Sequence, residues 1–433
     1  MEPFHRPGEP DPRSILIVLP TWVGDFVMAT PALRAIRHRF PEAHIVFLME
    51  ANLHDLVRGG DWMNETVSWP SRERRSVLHR EYRDFVWELR RRRFDWAVLL
   101  PNSFRSALLA RLAGAKRRIG YHRDGRGLLL TDCIPVKNRR CRGGQPPALA
   151  SDLTNSVAEL NGPRIWPGPH AAVRMGNSLP AALGPFRPMP MVEYYADLAQ
   201  AIGCERPGDT LELFVTPDCE SSVKRRLLEC GIQPRAAGLS PRDRDSAEDR
   251  ATGLERPLVV ISPGAKFGAS KCWPPDRFAA VADRLVESDA ASVVITCGPG
   301  EERIAQDIAA AMRKIGMVWD QPLLSLGELK SLIRRCDLLI CNDAGPRHFA
   351  KAFNVPLVTI FGPTHPEWTA TSYPDERIVR MDIDCGPCQQ KLCPLGHHRC
   401  MTEIDADLVY AAAVELLQGR RGAAHPIREH VHG

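Results

Sequence analysis

Residues 338–363 read LLICNDAGPRHFAKAFNVPLVTIFGP, in which two short β-prone runs, 338–341 and 357–360, bracket a segment that fits one short helix. Pro346 suits the first helical turn, where a missing N–H costs nothing. Asn354 followed by Val355-Pro356 marks the end, because Asn tolerates a left-handed cap and Pro cannot continue a helix. The result is a βαβ unit with a tight turn at Asp343-Ala344-Gly345. Gly345 lets the backbone come close to a ligand, and the free N–H groups of the helix start point out of the strand's carboxyl end. Phosphates bind there in parallel α/β sheets. His348, one turn in, can add a donor to the same anion. The plainer alternative is an ordinary strand–helix turn of a doubly wound domain.

The same alternation recurs outward in both directions. Residues 14–19 (SILIVL) read as a buried strand, 20–25 as a turn, 26–39 as a helix and 45–49 as a second strand, which starts a parallel sheet. The turn lacks Gly-x-Gly-x-x-Gly, so a dinucleotide fingerprint is absent. Residues 96–100 form a further strand, with Asn102-Ser103-Phe104-Arg105 at its carboxyl end. A second series opens at 257–261 (PLVVI) and continues with strands at 292–297, 338–341 and 357–360, separated by helices. Between the two series, residues 161–190 are rich in Pro and Gly, and 234–256 form a polar, charged insertion. The expected domains are therefore 14–185, 186–256 (a connecting helix and the insertion) and 257–420. Residues 1–13 read as a disordered lead, and the tail beyond Gly419 as disordered.

The chain has 433 residues, 44% hydrophobic and 25% charged, which suits a soluble protein with more than one core. A formal charge of +5 is too mild to argue for nucleic acid. It is unevenly placed, however: residues 72–126 hold sixteen Lys or Arg against six Asp or Glu, which favours an anionic partner for the first half. A solvated Arg-rich helix face accounts for part of that excess. No run approaches the ~20 apolar residues of a membrane span, and the polar start has no signal-peptide core. A cytoplasmic location is expected.

Four pieces of the second half fall at carboxyl ends of parallel strands: 262–266, 298–302, 343–348 and 362–364. Parallel topology puts such ends on one rim, so Ser262, Gly264, Asp343, Ala344, Gly345 and His348 converge there as candidate ligands of a nucleotide or sugar nucleotide. Lys271 can neutralise a departing diphosphate. Glu301 or Glu302 can grip ribose hydroxyls. In the first half, Asp25 stands at a strand's carboxyl end and can take a proton from an attacking hydroxyl; its competing role is to cap its own helix.

Three separated motifs then agree in order: Pro20-Thr21-Trp22-Val23-Gly24-Asp25, Ser270-Lys271-Cys272-Trp273-Pro274, and Asn342-Asp343-Ala344-Gly345-Pro346-Arg347-His348 with Phe361-Gly362-Pro363. With these the chain resembles the glycosyltransferase family 9 ADP-heptose:lipopolysaccharide heptosyltransferases, in particular the heptosyltransferase II branch. The resemblance implies an α/β GT-B fold, two Rossmann-like domains with parallel sheets facing across a cleft. It implies an ADP-heptose donor in the C-terminal domain, a lipid-linked lipopolysaccharide core acceptor in the N-terminal one, and inverting transfer that requires no cofactor. Asp25 would be the general base and Lys271 would stabilise departing ADP. The family usually has Ser or Thr where this chain has Ala344. For an acceptor rich in phosphate and carboxylate, Asn102, Ser103, Arg105, Arg118 and Arg123 are the candidates. Peripheral contact with the cytoplasmic face of the inner membrane would follow, and no nucleic acid.

Cys385, Cys388, Cys393 and Cys400 lie within sixteen residues, with His397 and His398 among them. A structural zinc ion, an iron–sulfur cluster, local disulfides and reduced thiols are the readings that spacing leaves open. Two other functions stand beside glycosyl transfer: another GT-B sugar-nucleotide enzyme of the epimerase kind, and a non-enzymatic nucleotide- or metal-binding protein.

Overall fold

The structure, a computed structural model, describes residues 4–5, 9–75, 79–135, 163–167, 188–233, 256–314 and 316–422. The expected Pro/Gly-rich boundary lies largely outside these residues, and the polar insertion almost wholly so. The described chain forms two units. One is drawn from 1–160, 173–216 and 365–372, the other from 161–172, 217–364 and 373–433.

The first unit holds β1 (Ser14–Val18), β2 (His44–Met49), β3 (Glu65–Ser68), β4 (Trp96–Leu99), β5 (Arg117–Tyr121) and β6 (Asp132–Ile134). They form a parallel sheet in the order β3-β2-β1-β4-β5-β6. Strand order reverses between β1 and β4, and the turns leaving those two strands flank the switch point where doubly wound sheets open a crevice. Near-continuous apolar runs drive this arrangement, since strands covered on both faces have no solvent side; β4 is buried at every residue.

The second unit holds β7 (Pro163–Pro167), β8 (Leu258–Ser262), β9 (Ser292–Thr296), β10 (Met317–Trp319), β11 (Leu338–Asn342), β12 (Leu357–Phe361) and β13 (Glu376–Met381). Their order is β10-β9-β8-β11-β12-β13-β7, all parallel except β7, which runs antiparallel along β13 at the edge. The reversal falls between β8 and β11, so the turns after those strands are the counterparts of the pair in the first unit. The helix between β11 and β12 is Gly345–Ala352, with Pro346 in its first turn, and Asn354 takes the left-handed φ of 54° that ends it. Trp273, fully buried, anchors the turn after β8 by packing edge-on against Phe278 and donating its indole N–H to Ile404 O at 3.1 Å.

The described part of the lead is not disordered. Phe4 N–H bonds Ala201 O at 2.7 Å, and His5 is buried edge-on against Phe40 and Trp96 with Asp11 2.8 Å from its Nε2. Polar, Pro-rich composition concealed one aromatic plug. The helix after β1 also begins earlier than expected, at Val23. Among the described residues no helix is long and apolar enough to cross a membrane.

Candidate functional site

In the first unit, Asp25 lies in the first turn of the helix Val23–Arg39, half-buried. The N-cap is Trp22, with no side-chain capping bond, so Asp25 is not the cap. Its carboxylate acts on the fully buried Tyr195: burial first, and then the Asp25 charge, push that phenol far above its ordinary value and keep it protonated.

Across the switch point, Ser103 caps the helix Phe104–Leu112, accepting Ser106 N–H at 3.2 Å, and Asn102 precedes it. The Asn102 Oδ1 receives Tyr194 OH at 2.7 Å and Arg126 NH2 at 3.2 Å. Arg126 is fully buried and also donates to Tyr121 O at 2.9 Å and to Pro101 O. It thus ties the ends of β4 and β5 together as a buried cation among carbonyls. Burial pushes the Arg126 pKa down, with Tyr194 the next influence, upward. Against the burial that raises the Tyr194 pKa, Arg123, exposed beyond β5, draws it down.

A cavity of about 270 Å³ opens on this rim, lined among others by Thr21, Glu50, Trp69, Arg75, Ser103 and Arg105. Arg75 is locked into Glu50 by two bonds of 2.8 and 2.6 Å, whereas the exposed Arg105 has no ion-pair partner among the described residues. Asn102, Ser103, Arg105 and Arg123 therefore share the carboxyl rim. Arg118 does not: it sits near the amino end of β5, opposite Ala97, and its guanidinium is taken by Leu129 O and Ala115 O at 2.7 Å each. We set it aside as an acceptor ligand. Sequence reading treated Arg126 as loop and missed both it and Tyr194, because their roles depend on distant segments meeting.

In the second unit, Lys271 ends the short 3-10 turn Ala269–Lys271. Its ammonium donates to the Asp343 carboxylate and, at 3.1 Å, to the Asp343 carbonyl. Thr364 Oγ1 reaches the same carboxylate oxygen at 2.8 Å, and Arg347 approaches the other at 3.7 Å. Burial alone would raise the Asp343 pKa. Lys271 and Arg347, with the bonds from Lys271 and Thr364, outweigh it and keep the group ionised. Asp343 thus orients the ammonium beside the helix start, where Ala344, Gly345 and Pro346 remain part-exposed. A helix N-terminus with a lysine ammonium at its mouth favours an anion.

Beneath it runs a buried ionic network that the sequence did not announce. Arg347, fully buried, holds Glu376 at 2.5 and 3.0 Å, and Lys351 and Thr359 reach the same carboxylate at 2.9 and 2.7 Å. Three cations (Lys271, Arg347, Lys351) face two carboxylates (Asp343, Glu376), and the surplus charge favours an anion at the rim. His348 is 3% exposed, and its Nδ1 lacks a hydrogen-bond partner among the described residues. Burial, then Arg347 and Lys351, hold its pKa far below the ordinary 6.5, so the imidazole is neutral.

Ser262, buried, closes β8, and the next turn is drawn in by Asn342, whose amide bonds Pro263 O at 2.5 Å. Glu301 folds back on Gly298 N–H at 3.0 Å and lies over Gly264, where any Cβ would strike its carboxylate. Glu302 accepts Gly300 N–H at 3.2 Å. Both carboxylates thus have backbone partners within their own turn.

The four clustered cysteines line one small pocket together with His397 and His398. Among the described residues, however, no three His, Cys, Asp or Glu side chains are disposed to hold a metal ion. Of the readings that spacing leaves open, the structural zinc gains no support from this arrangement, in which the Cys393 sulfur accepts His398 N–H at 3.4 Å and Cys385 lies 3.9 Å from His397 Nε2.

Comparison with known proteins adds independent findings. Residues 82–148 and 228–399 match the family model for glycosyltransferase family 9 (heptosyltransferase). Lipopolysaccharide heptosyltransferase 2 of Salmonella typhimurium is 26% identical over 414 residues, 93% of this chain and 98% of that protein. The solved ADP-heptose lipopolysaccharide heptosyltransferase II of Escherichia coli superposes with a TM-score of 0.64 at 24% identity, covering 94% of this chain and 99% of that one. A family 9 glycosyltransferase from Veillonella parvula gives 0.65 at 18% identity, covering 94% and 97%. The shared architecture is GT-B, two Rossmann-like units in one chain.

Proposed function

We propose a function for this chain, which belongs to glycosyltransferase family 9, the heptosyltransferases: it moves a heptose from ADP-heptose to the inner core of a lipopolysaccharide acceptor, with inversion. The observation that carries the donor half is the Lys271–Asp343 pair at the start of the helix Gly345–Ala352. The diphosphate would lie on the part-exposed N–H groups of that helix, with Lys271 taking up charge as ADP departs. His348, neutral and with a vacant Nδ1, would bond a sugar or phosphate oxygen. Ala344 offers no hydroxyl, so backbone N–H groups and Lys271 carry the contact there. Ser262, Gly264, Glu301 and Glu302 would shape the nucleoside end.

In the first unit Asp25 would take the proton of the attacking hydroxyl. Arg105 and Arg123, with Asn102 and Ser103, would hold the anionic acceptor, whose lipid would keep the protein at the cytoplasmic face of the inner membrane. The transfer needs no metal ion in this reading. Melting the protein with a panel of ADP-, UDP- and GDP-sugars tests the donor: ADP-heptose should raise the midpoint most. A larger shift from a UDP- or GDP-sugar would reject it.

A further inference from the structure

The turn that carries Lys271 is seated on the cysteine-rich loop. Ser270, 3% exposed, gives its N–H to Lys391 O at 3.2 Å and its hydroxyl to Gln390 O at 2.6 Å; its own carbonyl lies 2.7 Å from His398 Nε2. Two residues earlier, a Cβ on Gly268 would stand 2.4 Å from Lys391 O, so turn and loop meet backbone to backbone. The same loop also supports the other side chain on Asp343 Oδ2. Gln389 N–H bonds Pro363 O at 2.8 Å, next to Thr364, and Met401 fills the space a side chain at Gly362 would need. Both side chains on Asp343 Oδ2 thus hang from residues 389–401.

The thiols of this loop share one pocket whose wall includes Ser270, Pro363 and His398. The Cys393 sulfur accepts the N–H of His398, the same residue whose ring meets the Ser270 carbonyl, so a thiol of the loop is one bond from the turn that carries Lys271.

We propose that loop 385–400 is a positioning element for the diphosphate subsite, acting on Lys271 through Ser270 and His398, so that thiol modification of the loop and nucleoside diphosphate binding are linked. The inference rests on the donor site proposed above. Linkage is reciprocal: whatever the ordered loop contributes to ADP affinity, bound ADP returns as protection of the loop.

The test uses the full chain and ADP. In a pulse with N-ethylmaleimide, a thiolate adds across the maleimide double bond and the neighbouring carbon takes a proton from water; mass spectrometry then gives a rate for each cysteine. Saturating ADP should slow labelling of Cys385 and Cys393 about fivefold or more. The exposed Cys230, just past the helix Pro217–Glu229, should label at an unchanged rate. By calorimetry, Ser270→Ala and His398→Ala should each bind ADP about fivefold more weakly at an unshifted melting point, and His398→Gln, which restores a donor, should recover most of the loss. Equal labelling rates with ADP bound, or variants that bind ADP like the parent, overturn the proposal. A parent chain that fails to bind ADP overturns the donor site and this inference together.

Discussion

In the proposed transfer Asp25 would be the base and Lys271 the leaving-group cation, and their substitutions should separate accordingly. Asp25→Asn should lower kcat by about a hundredfold to ten-thousandfold, the usual worth of a positioned general base, with ADP affinity unchanged by calorimetry. Retained turnover would remove Asp25 from the reaction. Lys271→Ala should weaken ADP by about 10- to 150-fold, which corresponds to losing a charged hydrogen bond of about 1.5–3 kcal/mol. Unchanged ADP affinity would place the diphosphate elsewhere. Both residues were legible in the sequence because each sits in a short motif at a strand's carboxyl end. Arg126 and Tyr194 were not: Arg126 opens the short 3-10 turn Arg126–Leu129, and only folding brings it to Asn102 and the Tyr121 carbonyl. Arg118 misled for a related reason, since basic composition does not reveal which end of a strand a residue occupies.

At the level of elements, the start of the helix Gly345–Ala352 would take the anion in the proposed function, while β13 neutralises charges farther along it. Glu376 opens that strand and accepts from Arg347, Lys351 and Thr359. Glu376→Gln takes the carboxylate from buried Lys351 and leaves Arg347 its 3.7 Å approach to Asp343, and should destabilise the second unit by about 3–5 kcal/mol. At about 2–4 °C per kcal/mol for a domain of this size, calorimetry should show its transition fall by about 6–20 °C. A transition at the parental temperature would mean that the network contributes little. The strand itself escaped sequence reading because ERIVRM opens with two charges and carries a third next to its last residue. By contrast, β8, β11 and β12 are mainly apolar, carry no charge and could be read directly.

For the molecule as a whole, the buried network sets how stability depends on pH. Burial would raise the Glu376 pKa, but Arg347 and then Lys351 overcome it and hold the carboxyl well below its ordinary 4.5. Its contribution is therefore present above pH 4.5 and lost as pH falls through the folded value. His348 is likewise depressed, so below its ordinary 6.5 the unfolded chain binds the extra proton and stability declines with falling pH. Lys351, lowered by burial to about 8, acts at the other end: from about pH 8 to its ordinary 10.5, its contribution rises with pH. The melting point should thus fall from pH 6.5 downward, and His348→Gln should flatten the first part of that fall. An identical pH profile for the variant would show that His348 titrates alike in the folded and the unfolded chain. Two series of strands and helices were readable along the chain. That residues 365–372 return to the first unit was not, because no composition change marks the crossing.

The most direct measurement is a reaction of the purified chain with ADP-heptose and an inner-core lipopolysaccharide acceptor, following ADP release and acceptor mass together. Glycosyl transfer from an ADP-sugar predicts ADP released in step with acceptor molecules gaining one heptose, and neither product from Asp25→Asn. ADP released without acceptor modification, or acceptor modified equally well by the variant, would contradict it.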